Sequence, residues 1–192
     1  MRTVTYGAAC SLDGFIARPD GGVEWLIWSK DVQEVMREYW KTIDTIVMGR
    51  KTYEVARSSG SGAYPGMKNY VCSHTLQPGG EPGVEVVAQD AVPFLRNLKH
   101  QSGRGICLMG GGELAQSLLE ADLIDEIRLN IHPVILGSGI PLLRPVSHAV
   151  SLELYSHRLM EGGCLLANYR VRRNGGARSR SSNSRRAKTA DR

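Results

Sequence analysis

Two stretches place glycine where chemistry could use it. Residues 106–115 read "ICLMGGGELA", an apolar run, three glycines, then helix-like sequence; residues 45–54 read "TIVMGRKTYE", a second apolar run ending at Gly49, Arg50, Lys51 and Thr52. Ordering three consecutive glycines costs more backbone entropy than ordering any other tripeptide. Such a run at a strand-to-helix junction lets the main chain approach a ligand with no Cβ in the way, and the first N–H groups of the following helix have no partner inside it. Gly110, Gly111 and Gly112 thus read as a phosphate or dinucleotide contact, although glycines also occur wherever a helix packs tightly on a strand. Gly49–Thr52 adds two cations and a hydroxyl to a second such junction, where a solvated basic turn is the plainer reading. The two together favour one ligand spanning neighbouring strand ends. The spacing is not G-x-G-x-x-G, so a Rossmann assignment is not supported.

Candidate acids are Asp13 in "SLDG" and Asp31 at the head of "KDVQEVMREYWK". Either could protonate a reacting nitrogen. Each also has a structural role open to it, Asp13 in a turn and Asp31 in the first turn of a helix. Trp25, Trp28 and Tyr53 could wall a flat ring or simply fill the core. The five histidines are scattered with no cysteine at ligand spacing, and no metal site is expected.

The elements that must position these groups follow from periodicity. "TVTYGAAC" reads as a strand and "SLDGFIARPDGG" as a turn-rich loop; Val32, Val35, Met36, Tyr39 and Trp40 form one face of a helix. "TIVMG" and "ICLM" are short and wholly apolar, as strands covered on both faces are. "KTYEVA" reads as a short helix, "NYVCS" and "VEVV" as strands, and "DAVPFLRNLKH" as a helix capped by Asp90 with Pro93 in its first turn. A helix after the glycines, a strand in "LIDEIRLNIHPVIL", and the hairpin "SLELYSHRLM", "EGG", "CLLANYRV" complete the chain body. This order predicts an α/β fold, a mostly parallel central sheet with helices on both faces and a C-terminal antiparallel hairpin.

These residues, in this order, resemble the dihydrofolate reductase-like superfamily. "TIVMGRKTYE", "PGMKNYVCSHT" and "ICLMGGGELA" are similar to segments of dihydrofolate reductase. "GAACSLDGFIA" and "LIDEIRLNIHPVILGSGIPLL" resemble more closely the reductase half (RibD C-terminal domain) of riboflavin-biosynthesis enzymes and the stand-alone proteins related to it. The resemblance covers residues 1–173 and implies an NADPH-dependent reductase acting on a small pteridine- or pyrimidine-like heterocycle. Alternatives within the same frame are 5-amino-6-(5-phosphoribosylamino)uracil reductase and a non-catalytic NADPH-binding module. It implies diphosphate contacts from Gly49, Arg50, Lys51 and Thr52 and from Met109, Gly110, Gly111, Gly112, Glu113 and Leu114, with a cis bond joining the first two of the three glycines. It further implies a 2′-phosphate site at Ser73 and His74 and nicotinamide contacts from the carbonyls of Ala9 and Ile16. Asp31 stands roughly where dihydrofolate reductases carry their carboxylate. Met109 replaces the carboxylate common before the glycines in riboflavin-pathway reductases. Relatives pair through C-terminal strands, so a homodimer is expected.

Charge and composition bound the rest. The 192 residues carry 24 Lys and Arg against 19 Asp and Glu. Removing the six bases and one acid of residues 174–192 from those totals leaves 18 of each, so the excess sits wholly in the tail. That Ser- and Arg-rich tail is expected to be disordered, and as a nucleic-acid arm it is the less favoured reading. Four separated cysteines and no apolar stretch near the ~18 residues that span a bilayer point to a cytoplasmic protein without membrane contact.

Overall fold

A computed structural model describes residues 1–58, 60, 62–77 and 79–173. The tail of residues 174–192, expected to be disordered, lies outside them. In chain order the elements are β1 (Val4–Ser11), β2 (Phe15–Ala17), α1 (Lys30–Thr42), β3 (Ile43–Gly49), α2 (Arg50–Ser58), β4 (Lys68–Cys72) and β5 (Val84–Val87). They continue with α3 (Ala91–His100), β6 (Gly105–Met109), α4 (Gly112–Glu120), β7 (Glu126–His132), β8 (Ile140–Pro141), β9 (Ser151–Leu159) and β10 (Leu165–Arg172).

Eight strands form one sheet in the order β5-β4-β3-β6-β1-β7-β10-β9. The first six are parallel, and β10 and β9 close the edge as an antiparallel pair. Beyond their amino ends β3 and β6 are apolar, over Ile46–Met48 and Ile106–Met109, because helices cover both faces. On one face α3 and α4 bury Leu95, Leu98, Ala115 and Leu118 against Val4, Tyr6, Val47, Ile106 and Leu108. On the other, Tyr39 of α1 and Tyr53 of α2 pack on Ile46, Met48, Val71 and Cys107. The expected apolar stripe of α1 is thus its sheet-facing side. Asp90 accepts a hydrogen bond from Val92 N at 3.0 Å and starts α3 as expected.

The amino ends of the strands are held by buried cations. The Arg2 guanidinium binds Asp44, Thr45 Oγ1 and the Arg104 carbonyl, and Lys99 Nζ meets Leu123 O at 3.0 Å and Asp125 Oδ2 at 2.5 Å. The carboxyl ends of the same strands are left for the site.

Two expectations about local structure are corrected. The "SLDGFIA" loop contains β2, which pairs antiparallel with β8 as a small second sheet. Elements of three and two residues are too short to show a period. The strand within "LIDEIRLNIHPVIL" stops at His132, one residue before Pro133, which has no N–H to extend a ladder.

Candidate functional site

The carboxyl ends of β4, β3, β6, β1 and β7 open into one cavity of about 1050 Å³. Strands lie about 4.8 Å apart, so four spacings from β4 to β7 span roughly 19 Å. Every residue expected to bind the cofactor lines this cavity: Ala9 and Ile16, Gly49 through Thr52, Ser73 and His74, and Met109 through Leu114.

The two glycine junctions are adjacent. Met48 and Met109 are register partners, so Gly49 and Gly110 leave neighbouring strands side by side. A Cβ on Gly111 would stand 4.0 Å from Gly49 N. Gly110 and Gly111 have φ of +53° and +76°, a region closed to most side chains. A Cβ on Gly110 would also press on Thr52 Oγ1 at 3.1 Å. Among the described residues every peptide bond is trans. The cis bond implied by the resemblance is therefore absent, and the glycines serve positive φ and close approach. Gly112 has a different reason: its Cβ would meet Pro141 O at 2.6 Å and Leu142 O at 2.9 Å, where the β8 strap crosses the start of α4. Gly49 has nothing within 4 Å of its missing Cβ, so that space belongs to the cavity.

At the β4 end, Ser73 Oγ accepts from Thr75 N and Leu76 N at 3.2 and 3.0 Å and shapes the loop. His74 Nδ1 donates to Ala88 O at 2.8 Å, which leaves Nε2 for a ligand. Arg50, Lys51 and Arg144 line the cavity, and Arg50 is paired along its helix with Glu54 at 2.7 Å. Met109 presents its sulfur to Tyr64 OH at 3.2 Å.

Asp13 and Asp31 are not among the lining residues. Asp13 is exposed and binds Leu136 N and Gly137 N at 3.1 and 2.7 Å; Ser11 beside it and these amides hold its carboxyl below the usual range. Asp31 takes the Ser29 hydroxyl, Glu161 N at 2.8 Å and Val32 N at 2.8 Å, and these bonds, Ser29 foremost, likewise lower its pKa. Both carboxylates pin loops and stay ionised, so neither is placed as the acid expected of it. Of the aromatic candidates, Trp28 lines the cavity, Tyr53 is buried with its hydroxyl on Glu81 at 2.7 Å, and Trp25 packs edge-on against His132.

Sequence reasoning missed Tyr39, Arg128 and Asn130 at the inner end of the cavity. In "EIRLNIH" polar and apolar residues alternate, and its polar residues Arg128 and Asn130 stand beside Gly7 and Ala9 of β1 and line the cavity. The thiol of Cys107, also lining it, is pushed up to about 11 by burial and is inert at neutral pH.

A profile of the RibD C-terminal domain matches residues 2–166 of this chain. The chain belongs to the RibD C-terminal domain family. Among relatives of this RibD-type domain, the uncharacterized protein YwjB of Bacillus subtilis (strain 168) is 34% identical over 155 residues, 80% of this chain and 88% of YwjB. A crystal structure from Shewanella sp. PV-4, provisionally assigned to riboflavin biosynthesis, is 27% identical with a TM-score of 0.77, covering 89% of this chain and 99% of that one. The diaminohydroxyphosphoribosylaminopyrimidine deaminase/5-amino-6-(5-phosphoribosylamino)uracil reductase of Thermotoga maritima is 18% identical with a TM-score of 0.67, covering 88% of this chain and 56% of that protein. At that identity it shows the fold alone. The RibD-type domain thus has a dihydrofolate reductase-like fold.

Proposed function

We propose that this RibD-type domain is an NADPH-dependent reductase of a small pteridine- or pyrimidine-like heterocycle. What supports the reading most directly is the Met48–Met109 register, which sets Gly49–Thr52 beside Gly110–Gly112 at the mouth of one cavity. The first N–H groups of α2 and α4 carry partial positive charge and suit a diphosphate, and the open space at Gly49 and the positive φ of Gly110 and Gly111 allow it close approach. Arg50 and Lys51 add cations. Ser73 Oγ–H and His74, whose Nε2 donates to phosphate when the ring is protonated, stand one strand further on, where a ribose phosphate would fall. Toward β1, the backbone at Ala9 and Ile16 would hold the carboxamide of the nicotinamide.

When bound, NADPH supplies a hydride to an electrophilic carbon. The chain's residues fix where that carbon can stand: β1 and β6 floor the site, and Val32, Met36 and Trp40 of α1 wall it and exclude water. With Asp13 and Asp31 committed to loops, the proton for the reduced nitrogen comes from solvent entering beside Trp28, which is 64% exposed. We further propose a cytoplasmic homodimer formed on β9, whose nine residues are all exposed and include Leu152, Leu154, Tyr155 and Leu159. A bare apolar edge strand invites pairing.

Titrating NADPH and NADH against the fluorescence of Trp28 and Trp40, then following nicotinamide absorbance with a panel of cyclic imines and carbonyl heterocycles, tests the reading. Tighter binding of NADPH with oxidation by one panel member is expected. NADPH binding without turnover would favour the cofactor-binding module, and no binding would remove the reductase.

A further inference from the structure

Among the described residues, five buried polar side-chain atoms lack a hydrogen-bond partner in the protein. Of these, Arg128 Nε and Asn130 Oδ1 belong to residues lining the inner end of the cavity. The Arg128 guanidinium makes no ion pair with any described residue; its one contact of note is with the face of Tyr39, 4.6 Å from the ring centroid. A half-buried cation without a counter-charge is costly to keep. An acceptor on a ligand in the cavity would supply that partner.

Asn130 shows which kind. In the structure its Nδ2 stands 3.2 Å from His132 Nε2. His132 Nδ1 accepts the Ile27 N–H at 3.2 Å and faces Cys164 Sγ at 3.3 Å, and burial lowers the pKa of the ring, so the imidazole is neutral with its proton on Nε2. Two donors cannot face each other. The amide is assigned from this network with its oxygen on His132 Nε2–H, and its NH₂ is the end left unpartnered. Arg128 and Asn130, two residues apart on the same face of β7, thus both present donors. Among the described residues no carboxylate lines this end; the lining acids Asp90 and Glu113 stand at the starts of α3 and α4.

We propose that Arg128 and Asn130 recognise the substrate of the reductase through a carbonyl edge, two acceptor atoms side by side, and reject an amidine edge, whose N–H groups would meet N–H groups. This rests on the reductase reading, in which the nicotinamide lies on β1 and the substrate beyond it toward β7. Tyr39 stacks the guanidinium and holds it flat toward the ring.

The test uses the full chain with two six-membered probes of opposite edge, barbiturate and 2,4-diaminopyrimidine, titrated by calorimetry, with NADPH titrated separately on the same proteins. Barbiturate is expected to bind wild type more tightly than the diamine and to lose roughly 10–100-fold in Arg128→Leu, the loss of charge-assisted hydrogen bonds. NADPH affinity should stay unchanged, and the melting temperature should hold or rise, because the variant removes an uncompensated cation. Arg128→Lys should recover part of the loss, and Asn130→Asp, which pairs with Arg128 internally, should move the preference toward the diamine. The proposal is overturned if the diamine binds wild type better, if barbiturate does not bind, or if Arg128→Leu and Asn130→Asp both leave it unaffected. Barbiturate binding that depends on Arg128 while NADPH fails to bind would support the recognition edge and reject the cofactor reading alone.

Discussion

Replacing Gly49 by alanine separates a glycine kept for the fold from one kept for a ligand. At Gly49 the added methyl meets no atom within 4 Å and φ is not in the left-handed region, so the protein itself gives no steric reason for glycine. In the unfolded chain alanine is less free than glycine, which favours the variant by about 0.4–1 kcal/mol. Stability should therefore hold or rise slightly, a Tm increase of roughly 1–4 °C for a chain of this size. The methyl would stand in the cavity at the mouth between β3 and β6, where a diphosphate must approach the first amides of α2. Displacing the phosphate from one or two of these amides removes charge-assisted hydrogen bonds of about 1.5–3 kcal/mol each, so NADPH affinity should fall at least about tenfold. Thermal unfolding and an NADPH titration on the same preparations give both numbers. Gly49→Ala that melts normally and binds NADPH as wild type does would refute the placement of the diphosphate at this junction.

Three further outcomes follow from the same structure. Lys99→Met leaves Asp125 with Val4 N and Arg173 as its partners but removes a buried ion pair, and should cost about 3 kcal/mol in denaturant unfolding with NADPH affinity unchanged. Leu154→Glu puts a charge on the exposed edge strand, and sedimentation should show the wild type as a dimer and the variant as a monomer at equal concentration. The Asp31 carboxyl titrates lower folded than unfolded, so its contribution is present above the ordinary carboxylate range and lost as pH falls through the lowered value; Asp31→Asn should flatten the acid side of the stability–pH curve, read by urea unfolding at several pH values.

The parts of this domain visible in the sequence are those governed by local rules. The stripe of α1, the cap at Asp90 and the apolar strands β3 and β6 each follow from period or turn chemistry within ten residues, and they brought the residues expected to bind a cofactor to one cavity mouth. The inner end obeys no local rule. Arg128 and Asn130 alternate with Ile127 and Leu129 as a solvent-facing strand would, and only the placement of β7 between β1 and β10 turns that polar face inward. Asp31 misled for the related reason that a carboxylate at a helix start has one signature whether it faces a ligand or a loop; here the Glu161 amide claims it. A polar alternation on a strand next to an apolar parallel core is nevertheless a readable signal, because the helices that cover both faces of such a core leave its strands little free solvent face. Such residues must find partners in a helix, in a buried network or in a ligand. His132 meets the Ile27 amide and Cys164, Asn130 satisfies half of its amide on His132, and among the described residues Arg128 finds the face of Tyr39 and no ion pair. Satisfaction thus declines along β7 from His132 to Arg128, and the group left most in need is a cation that lines the cavity.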